Sequence, residues 1–266
     1  AIVTNKPQTT RNRICAVVNR EGCQFVFLDT PGLHRARTRL GDYMVKVVKE
    51  SVADVDAVLL LVEPIPHIGG PEAELIRRIK ELNVPAVLVI NKIDTVEKEE
   101  LLSVMQVYGA AHDFAAIVPI SAKRNEGVDE LLGLLAQFLP EGPQLFPEDM
   151  VTDQPERQVC AEIIREKLLL CLDKEIPHGT AVEITTFSER DDGIIDLDAT
   201  IYCEKASHKG IIIGKGGAML KKISTLARTD IEAFMGTKVF LQTWVKVKEN
   251  WRDNMNLIKN FGYRDE

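Results

Sequence analysis

The chain has 266 residues, 45% of them hydrophobic and 27% charged, which is the composition of a globular protein with room for one large domain or two ordinary ones. Its apolar runs are shorter than the roughly 18 residues that a membrane-spanning helix needs, and no basic-then-apolar leader opens the sequence. The net charge of −7 argues against nucleic-acid binding by the whole surface, although a local basic patch is compatible with it.

The first half of the chain alternates short apolar runs with amphipathic helical patterns. The predicted strands are 25–28, 57–62, 86–90 and 117–120, and the predicted helices are 40–53, 71–83, 97–112 and 125–139. Repeated strand–helix units of this kind predict an α/β fold, a mostly parallel sheet wrapped by helices. Ligands of such sheets bind beyond the carboxyl ends of the strands.

A Pro-rich stretch interrupts both periodicities and predicts a linker at 141–155, between a first domain at 1–140 and a second at 156–266. In the second domain the predicted helices are 156–174 and 217–235, and the predicted strands are 182–186, 195–203 and 238–248. Helical segments rather than a single helix are expected at about 217–235, and the order helix, two strands, two helices, strand predicts a small α+β domain. The five cysteines show no CxxC or metal-like spacing, which predicts reduced core thiols in a cytoplasmic protein.

Polar clusters follow three predicted strands of the first domain: DTPG at 29–32, NKID at 91–94 and SAK at 121–123. Asp29 is placed to hold a magnesium ion through water, and Gly32 allows a backbone amide to approach a terminal phosphate. The carboxylate of Asp94 can accept two hydrogen bonds from the N1–H and N2–H₂ groups of guanine, a donor pair that adenine lacks. The three clusters together predict a guanine-nucleotide site.

The remaining residues of these clusters have expected roles around the base. Asn91 would join the neighbouring loops, the stem of Lys92 would lie across the ring, and the backbone N–H of Ala122 would donate to guanine O6.

The motifs resemble those of the translation-factor-related GTPases, and within them the Era family of bacterial ribosome-assembly GTPases. The segment QTTRNR at 8–13 looks like switch I of that family, DTPG like the start of switch II, and NKID and SAK like its guanine-specificity loops. The resemblance implies a P-loop-type GTPase sheet that binds GTP or GDP and Mg²⁺, with Thr10, or alternatively Thr9, supplying a hydroxyl to the metal beside Asp29. It implies Thr10, Asp29 and Gly32 as catalytic residues. The implied nucleotide-binding residues are Thr9, Thr10, Asp29, Thr30, Pro31, Gly32, Asn91, Lys92, Asp94, Ser121, Ala122 and Lys123.

The sequence contains no G-x-x-x-x-G-K-[ST] phosphate loop. In the resembled family that loop, its strand and its helix stand before switch I, so we expect them upstream of Ala1, with the strand between those at 25–28 and 57–62. If they are truly absent, the alternative is an RNA-binding assembly module without GTPase activity. Leu33 occupies the position of the water-orienting glutamine of other GTPases, which implies hydrolysis without that side chain.

A basic segment at 205–222 contains five lysines and no acidic residue. Within it, Gly214 to Gly217 are expected to form a turn that leads from a strand into a helix, so that a nucleic-acid backbone can press against the glycines. The GxxG turn and the order of elements resemble a type II KH domain. The RNA-binding residues predicted on this basis are Lys205, Lys209, Gly214, Lys215, Gly216, Gly217, Lys221 and Lys222.

The resemblance to the Era family extends to the C-terminal half and implies a partner. It implies binding to 16S rRNA near its 3′ end, a role in assembly of the 30S subunit, a monomer, and a cytoplasmic protein with a peripheral contact to the inner membrane face. Trp244 and Trp251 could stack on RNA bases, but an aromatic residue on an alternating strand favours the core, so both are predicted to be core residues.

Overall fold

The computed structural model describes residues 1–20, 22–34, 36–52 and 55–263. The strands are β1 (Ile14–Arg20), β2 (Cys23–Asp29), β3 (Val58–Val62), β4 (Ala86–Ile90), β5 (Ala116–Pro119), β6 (Ala181–Glu189), β7 (Ile195–Cys203) and β8 (Val239–Val247). The helices are α1 (Arg39–Ser51), α2 (Gly70–Leu82), α3 (Lys98–Ala111), α4 (Val128–Leu135), α5 (Glu156–Cys171), α6 (Ala206–Ile213), α7 (Ala218–Met235) and α8 (Met255–Asn260).

The first domain contains a parallel sheet of order β3-β4-β5. The central strand β4 is buried throughout because its side chains alternate between two covered faces. Leu88 and Ile90 pack with α2 and α3, whereas Val87 and Val89 pack with α4 and Phe25 of β2. The predicted α/β architecture is therefore confirmed, and the polar clusters that follow β4 and β5 lie at one edge of this sheet.

Strand β1 was not predicted. It pairs with β2 in an antiparallel ladder that is separate from the parallel sheet, and only Cys15 and Val17 of its seven side chains are buried. Weak burial leaves little alternation in the sequence, which explains the omission. The segment before α5 runs beside β1, where the N–H of Val17 donates to the Val151 carbonyl at 3.0 Å. The strand expected between β2 and β3 stays a prediction.

The second domain has a sheet of order β6-β7-β8, with β6 antiparallel and β8 parallel to β7. Helices α5, α6 and α7 cover one face of it, and the core includes the fully buried Leu197, Ala199 and Ile201. The prediction that a strand precedes the glycine turn was wrong, because the apolar run Ile211–Ile213 ends α6. A short apolar run cannot distinguish a strand from a buried helical turn. The turn therefore lies between two helices, as the KH resemblance implies.

The two tryptophans have opposite environments. Trp251 is fully buried, and its indole N–H donates to the Gly179 carbonyl at 2.9 Å. Trp244 is 45% exposed, so the prediction of a core position was right for Trp251 and wrong for Trp244. The neighbouring Thr243 faces α7 through a contact with Ser224, which leaves Trp244 on the opposite side of β8.

The two domains share a cluster of apolar side chains. Helix α1 of the first domain contributes Leu40, Tyr43 and Met44, which pack against Trp251 and Phe261 of the second. The five cysteines are free thiols, either buried or half-buried, as predicted.

Candidate nucleotide-binding site and nucleic-acid interface

The carboxylate predicted to recognise guanine is held by the neighbouring loop. Ser121 Oγ donates to Asp94 Oδ1 at 2.7 Å, and Arg124 Nε lies 3.8 Å from Asp94 Oδ2. The hydrogen bond from Ser121 lowers the pKa of Asp94, although burial opposes the shift. Asp94 is therefore charged at neutral pH, as acceptance of two guanine hydrogen bonds requires. Arg124 was not predicted, and its position directly after the SAK motif is the only signal in the sequence.

Asn91 joins the two loops, as predicted. Its Oδ1 accepts from the backbone N–H of Lys92 at 2.8 Å and from that of Ala122 at 3.0 Å. The N–H of Ala122 is thus already engaged, and guanine O6 would have to share or replace that hydrogen bond. The ammonium of Lys92 forms an ion pair with Glu63 on the exposed surface. Lys123 is exposed.

Backbone hydrogen bonds fix this base-recognition corner, which comprises residues 91–94 and 121–126, within the first domain. Ser121 and Glu126 exchange two N–H···O bonds of 3.0 and 3.1 Å. The N–H of Ile93 donates to the Ile120 carbonyl at 3.2 Å, which links the loop after β4 to the end of β5. The polar groups of the corner are therefore ordered by residues of the same sheet edge.

A second polar group lies at the end of β2. Thr10 Oγ1 donates to Asp29 Oδ2 at 3.2 Å. The hydroxyl of Thr9 instead lies 2.6 Å from that of Thr4 and donates to the Lys6 carbonyl at 2.7 Å. Of the two threonines, the structure therefore brings Thr10 to Asp29. We call Thr10 and Asp29 the Thr10–Asp29 corner.

The chemistry of this corner fits a magnesium ion. Burial raises the pKa of Asp29, and the hydrogen bond from Thr10 only partly offsets the effect. A hydroxyl and a half-buried carboxylate are the hard oxygen ligands that Mg²⁺ prefers, and a cation would relieve the cost of burying the charge. No cluster of three or more His, Cys, Asp or Glu side chains suited to a metal occurs among the described residues.

The segment after Asp29 is open where a phosphate would approach. Pro31 is buried, whereas Gly32 is exposed, and a Cβ built on Gly32 would meet no atom within 4 Å. The packing of the fold therefore does not require glycine at position 32. Thr30 follows Asp29 directly, and its backbone hydrogen bond to the carboxylate opposes the rise that burial causes in the pKa of Asp29.

The segment 8–13, which resembles switch I, is anchored in the second domain, a contact that the sequence did not predict. The guanidinium of Arg11 donates to the carbonyls of Thr180 and His178, both at 2.7 Å, and lies 5.9 Å from the centroid of the Trp251 ring. Only 2% of Arg11 is exposed. One residue before Thr10, the carbonyl of Thr9 accepts a hydrogen bond from Arg165 of α5.

The predicted RNA-binding turn has the backbone that its glycines permit. Gly214, Gly216 and Gly217 have φ angles of 73°, 58° and 81°, and a Cβ on Gly214 would approach the backbone nitrogen of Met219 to 2.9 Å. Glycine is thus required at Gly214 for packing as well as conformation. Gly217 is the N-cap of α7 and offers no capping side chain, so the first N–H groups of that helix can face a ligand.

The five predicted lysines are distributed along α6, the turn and the start of α7. Lys205 precedes α6, Lys215 lies in the turn, and Lys221 and Lys222 lie near the start of α7, all of them exposed. Lys209, on α6, is half-buried. The structure therefore brings Lys215, Lys221 and Lys222 to the glycine turn, whereas Lys205 lies at the other end of α6 and Lys209 midway along that helix.

Comparison with known proteins covers both halves of the chain. The sequence model of the elongation factor Tu GTP-binding domain matches residues 5–141, and that of the KH domain matches residues 175–252. GTPase Era of Ruminiclostridium cellulolyticum is 51% identical over 99% of this chain and 89% of the relative. The chain belongs to the Era family of GTPases. GTPase Era of Alkaliphilus metalliredigens is 50% identical over 99% of this chain and 90% of the relative.

Solved Era structures share the whole fold. A variant of Aquifex aeolicus Era bound to GDP and AlF₄⁻ superposes with a TM-score of 0.95 at 36% identity, covering all of this chain and 91% of that one. Era in complex with MgGDPNP and nucleotides 1506–1542 of 16S ribosomal RNA has the same TM-score and identity and is covered to 90%. The predicted family and the combination of a GTPase sheet with a KH domain are confirmed.

Proposed function

We propose that this chain is a GTP-hydrolysing switch that binds 16S rRNA near its 3′ end and assists assembly of the 30S subunit. The observation that carries the proposal is the presence, in one chain, of the ordered carboxylate of Asp94 and of a GxxG turn that contains the exposed Lys215 and leads into the exposed Lys221 and Lys222 of α7. Membership of the Era family supports it, as does the Era structure that holds MgGDPNP and 16S rRNA.

On the nucleotide side, Asp94 pairs with the N1–H and N2–H₂ groups of guanine, while Asn91 and Ser121 keep the two loops in register. Mg²⁺, when bound, neutralises phosphate charge; Thr10 and Asp29 are the residues that would hold it. Gly32 gives a terminal phosphate access to the backbone. Because Leu33 has no polar group with which to orient water, the chain relies on positioning by its backbone and by Thr10.

On the RNA side, the backbone of an unpaired strand lies against Gly214–Gly217, where glycines permit close approach. Lys205, Lys209, Lys215, Lys221 and Lys222 supply phosphate contacts, which position the strand without reading its sequence. Nucleotide state controls RNA binding through residues near 5–13 and 32–42. Contacts with the γ-phosphate order these residues, and hydrolysis of GTP releases them.

Localisation and assembly state belong to the same proposal. We place the protein in the cytoplasm as a monomer that meets the 30S subunit, with a peripheral contact to the inner membrane face suggested by the family resemblance alone. Among the described residues, no helix combines the length and the apolarity needed to cross a bilayer.

Nucleotide binding and hydrolysis test the proposal directly. The full-length protein should bind a fluorescent GDP, which GTP displaces and ATP does not, and it should release phosphate from GTP when Mg²⁺ is present. The matched control is Asp94→Asn, which should lose this preference. RNA binding without any guanine-nucleotide binding would instead identify the alternative, an assembly module without catalysis.

A further inference from the structure

Both neighbours of Thr10 are held by the KH-containing half of the molecule. On one side, the carbonyl of Thr9 accepts a hydrogen bond from Arg165 of α5. On the other, Arg11 reaches the carbonyls of His178 and Thr180, which precede β6. The hydroxyl between these two anchors lies 3.2 Å from Asp29 of the first domain.

The two anchors are buried charged groups. Arg11 is 2% exposed and Arg165 is 1% exposed. Arg165 is paired with Glu162, but none of the ion pairs among the described residues involves Arg11, which bonds instead to neutral oxygen atoms, including that of Tyr263 at 3.4 Å. Burying a cation whose hydrogen-bond partners are all neutral is costly, so this side chain is poorly explained by stability alone.

The geometry of the anchors is restrictive. A guanidinium is a rigid fork, and that of Arg11 uses two different nitrogens for two different carbonyls, which fixes its direction as well as its position. The Thr9 carbonyl and the buried side chain of Arg11 are both held, which restricts how far Thr10 between them can move from Asp29.

We infer that Arg11 and Arg165 are positioning residues for the nucleotide site, which hold the Thr10 hydroxyl beside Asp29 so that the KH-containing half forms part of the support of the magnesium site. The inference rests on the proposed GTP- and Mg²⁺-dependent function. It assigns a role in that function to two side chains that touch neither the base-recognition corner nor the GxxG turn.

The test uses the full-length protein and the conservative variants Arg11→Lys and Arg165→Lys. These variants keep the positive charge but lack the planar guanidinium that donates from two nitrogens. The matched control is Arg157→Lys: Arg157 also lies on α5, but its guanidinium is exposed and lies 3.5 Å from the Thr185 carbonyl, away from Thr10. For each protein, the Mg²⁺ concentration that gives half-maximal binding of GDPNP is measured. The affinity for GDP in EDTA provides a readout of nucleotide binding without the metal.

We expect the Mg²⁺ midpoint to rise about tenfold in Arg11→Lys and in Arg165→Lys, which corresponds to about 1.4 kcal/mol, and to stay unchanged in Arg157→Lys. GDP affinity in EDTA should stay within about twofold of wild type in all three, which a general loss of folding would not allow. In a Thr10→Ala background, Arg11→Lys should add no further rise, because the hydroxyl that it positions is gone.

Unchanged Mg²⁺ midpoints in both anchor variants would overturn the inference. It would also be overturned if Arg11→Lys raised the Mg²⁺ midpoint as much in the Thr10→Ala background as it does in the wild-type background. These outcomes leave the proposed function intact when the wild-type protein binds GDPNP in a Mg²⁺-dependent manner. A wild-type protein that lacks Mg²⁺-dependent GDPNP binding would contradict the proposed function itself, together with the inference that rests on it.

Discussion

The two corners of the nucleotide site differ in what supports them. The base-recognition corner is built from loops 91–94 and 121–126 of one sheet edge, and Ser121 and Asn91 satisfy its polar groups locally. The Thr10–Asp29 corner joins the end of β2 to a segment whose anchors, Arg11 and Arg165, bond across the domain boundary.

The difference indicates how one chain can separate recognition from switching. A corner supported within its own domain keeps its geometry when the domains move, so guanine selectivity can persist through the cycle. A corner supported from both domains changes whenever their contact changes. Guanine selectivity and nucleotide-state signalling can therefore be altered independently, and the following variants test that separation.

Asp94→Asn should have the largest effect and should act on the base-recognition corner alone. It removes a charged acceptor of two hydrogen bonds, which costs roughly 3–6 kcal/mol of GTP binding, or about 10²- to 10⁴-fold in affinity. Xanthosine triphosphate should bind better than GTP, because the amide matches its altered edge. Competition binding measures the affinities for GTP and for xanthosine triphosphate. Unchanged selectivity would show that Asp94 does not recognise the base.

Trp251→Ala should act on the interdomain support. Trp251 is fully buried among aromatic side chains and beneath Arg11, so its removal should lower the free energy of unfolding by roughly 3–5 kcal/mol. The matched variant Trp244→Ala, at an exposed position, should change it by less than about 0.5 kcal/mol. Urea denaturation distinguishes them, and equal losses would contradict the assigned environments.

Lys215→Ala should weaken RNA binding without touching either corner. The loss of one phosphate contact should reduce affinity about 5- to 10-fold and lower the slope of log affinity against log salt by about one. Lys238→Ala is the control, since Lys238 is exposed beyond the opposite end of α7. Filter binding with a single-stranded oligonucleotide at several salt concentrations measures both. An identical change of RNA affinity in the two variants would argue against the glycine turn as an RNA-binding site.

Asp29→Asn should have the smallest effect on stability, and its sign depends on pH. Because burial raises the pKa of Asp29, the folded chain holds the proton more readily than the unfolded chain, and the charged form costs stability above that pKa. At pH 7 the variant without nucleotide should therefore melt about 1–3 °C higher. This advantage should disappear as the pH falls through the raised pKa towards the ordinary value of 3.8. A lower melting temperature at pH 7 would contradict the assigned burial.

Local features of the chain were predictable, and contacts across the domain boundary were not. Asp94, Asn91 and Ser121 follow buried strands directly, so the period of the sheet places them at one edge. Arg165 contacts Thr9 across 156 positions, and no periodicity connects residues that far apart. Alternation along β8 separates its two faces but does not reveal which one the helices cover, and so Trp244 was assigned to the core.

The most direct test of the switch is the affinity of the full-length protein for an oligonucleotide of the 16S rRNA 3′ end, measured with saturating GDP and with saturating MgGDPNP. The account predicts that the two affinities differ by about tenfold or more, and that Arg11→Lys narrows the difference while Arg157→Lys preserves it. Equal affinities in the two nucleotide states would contradict it.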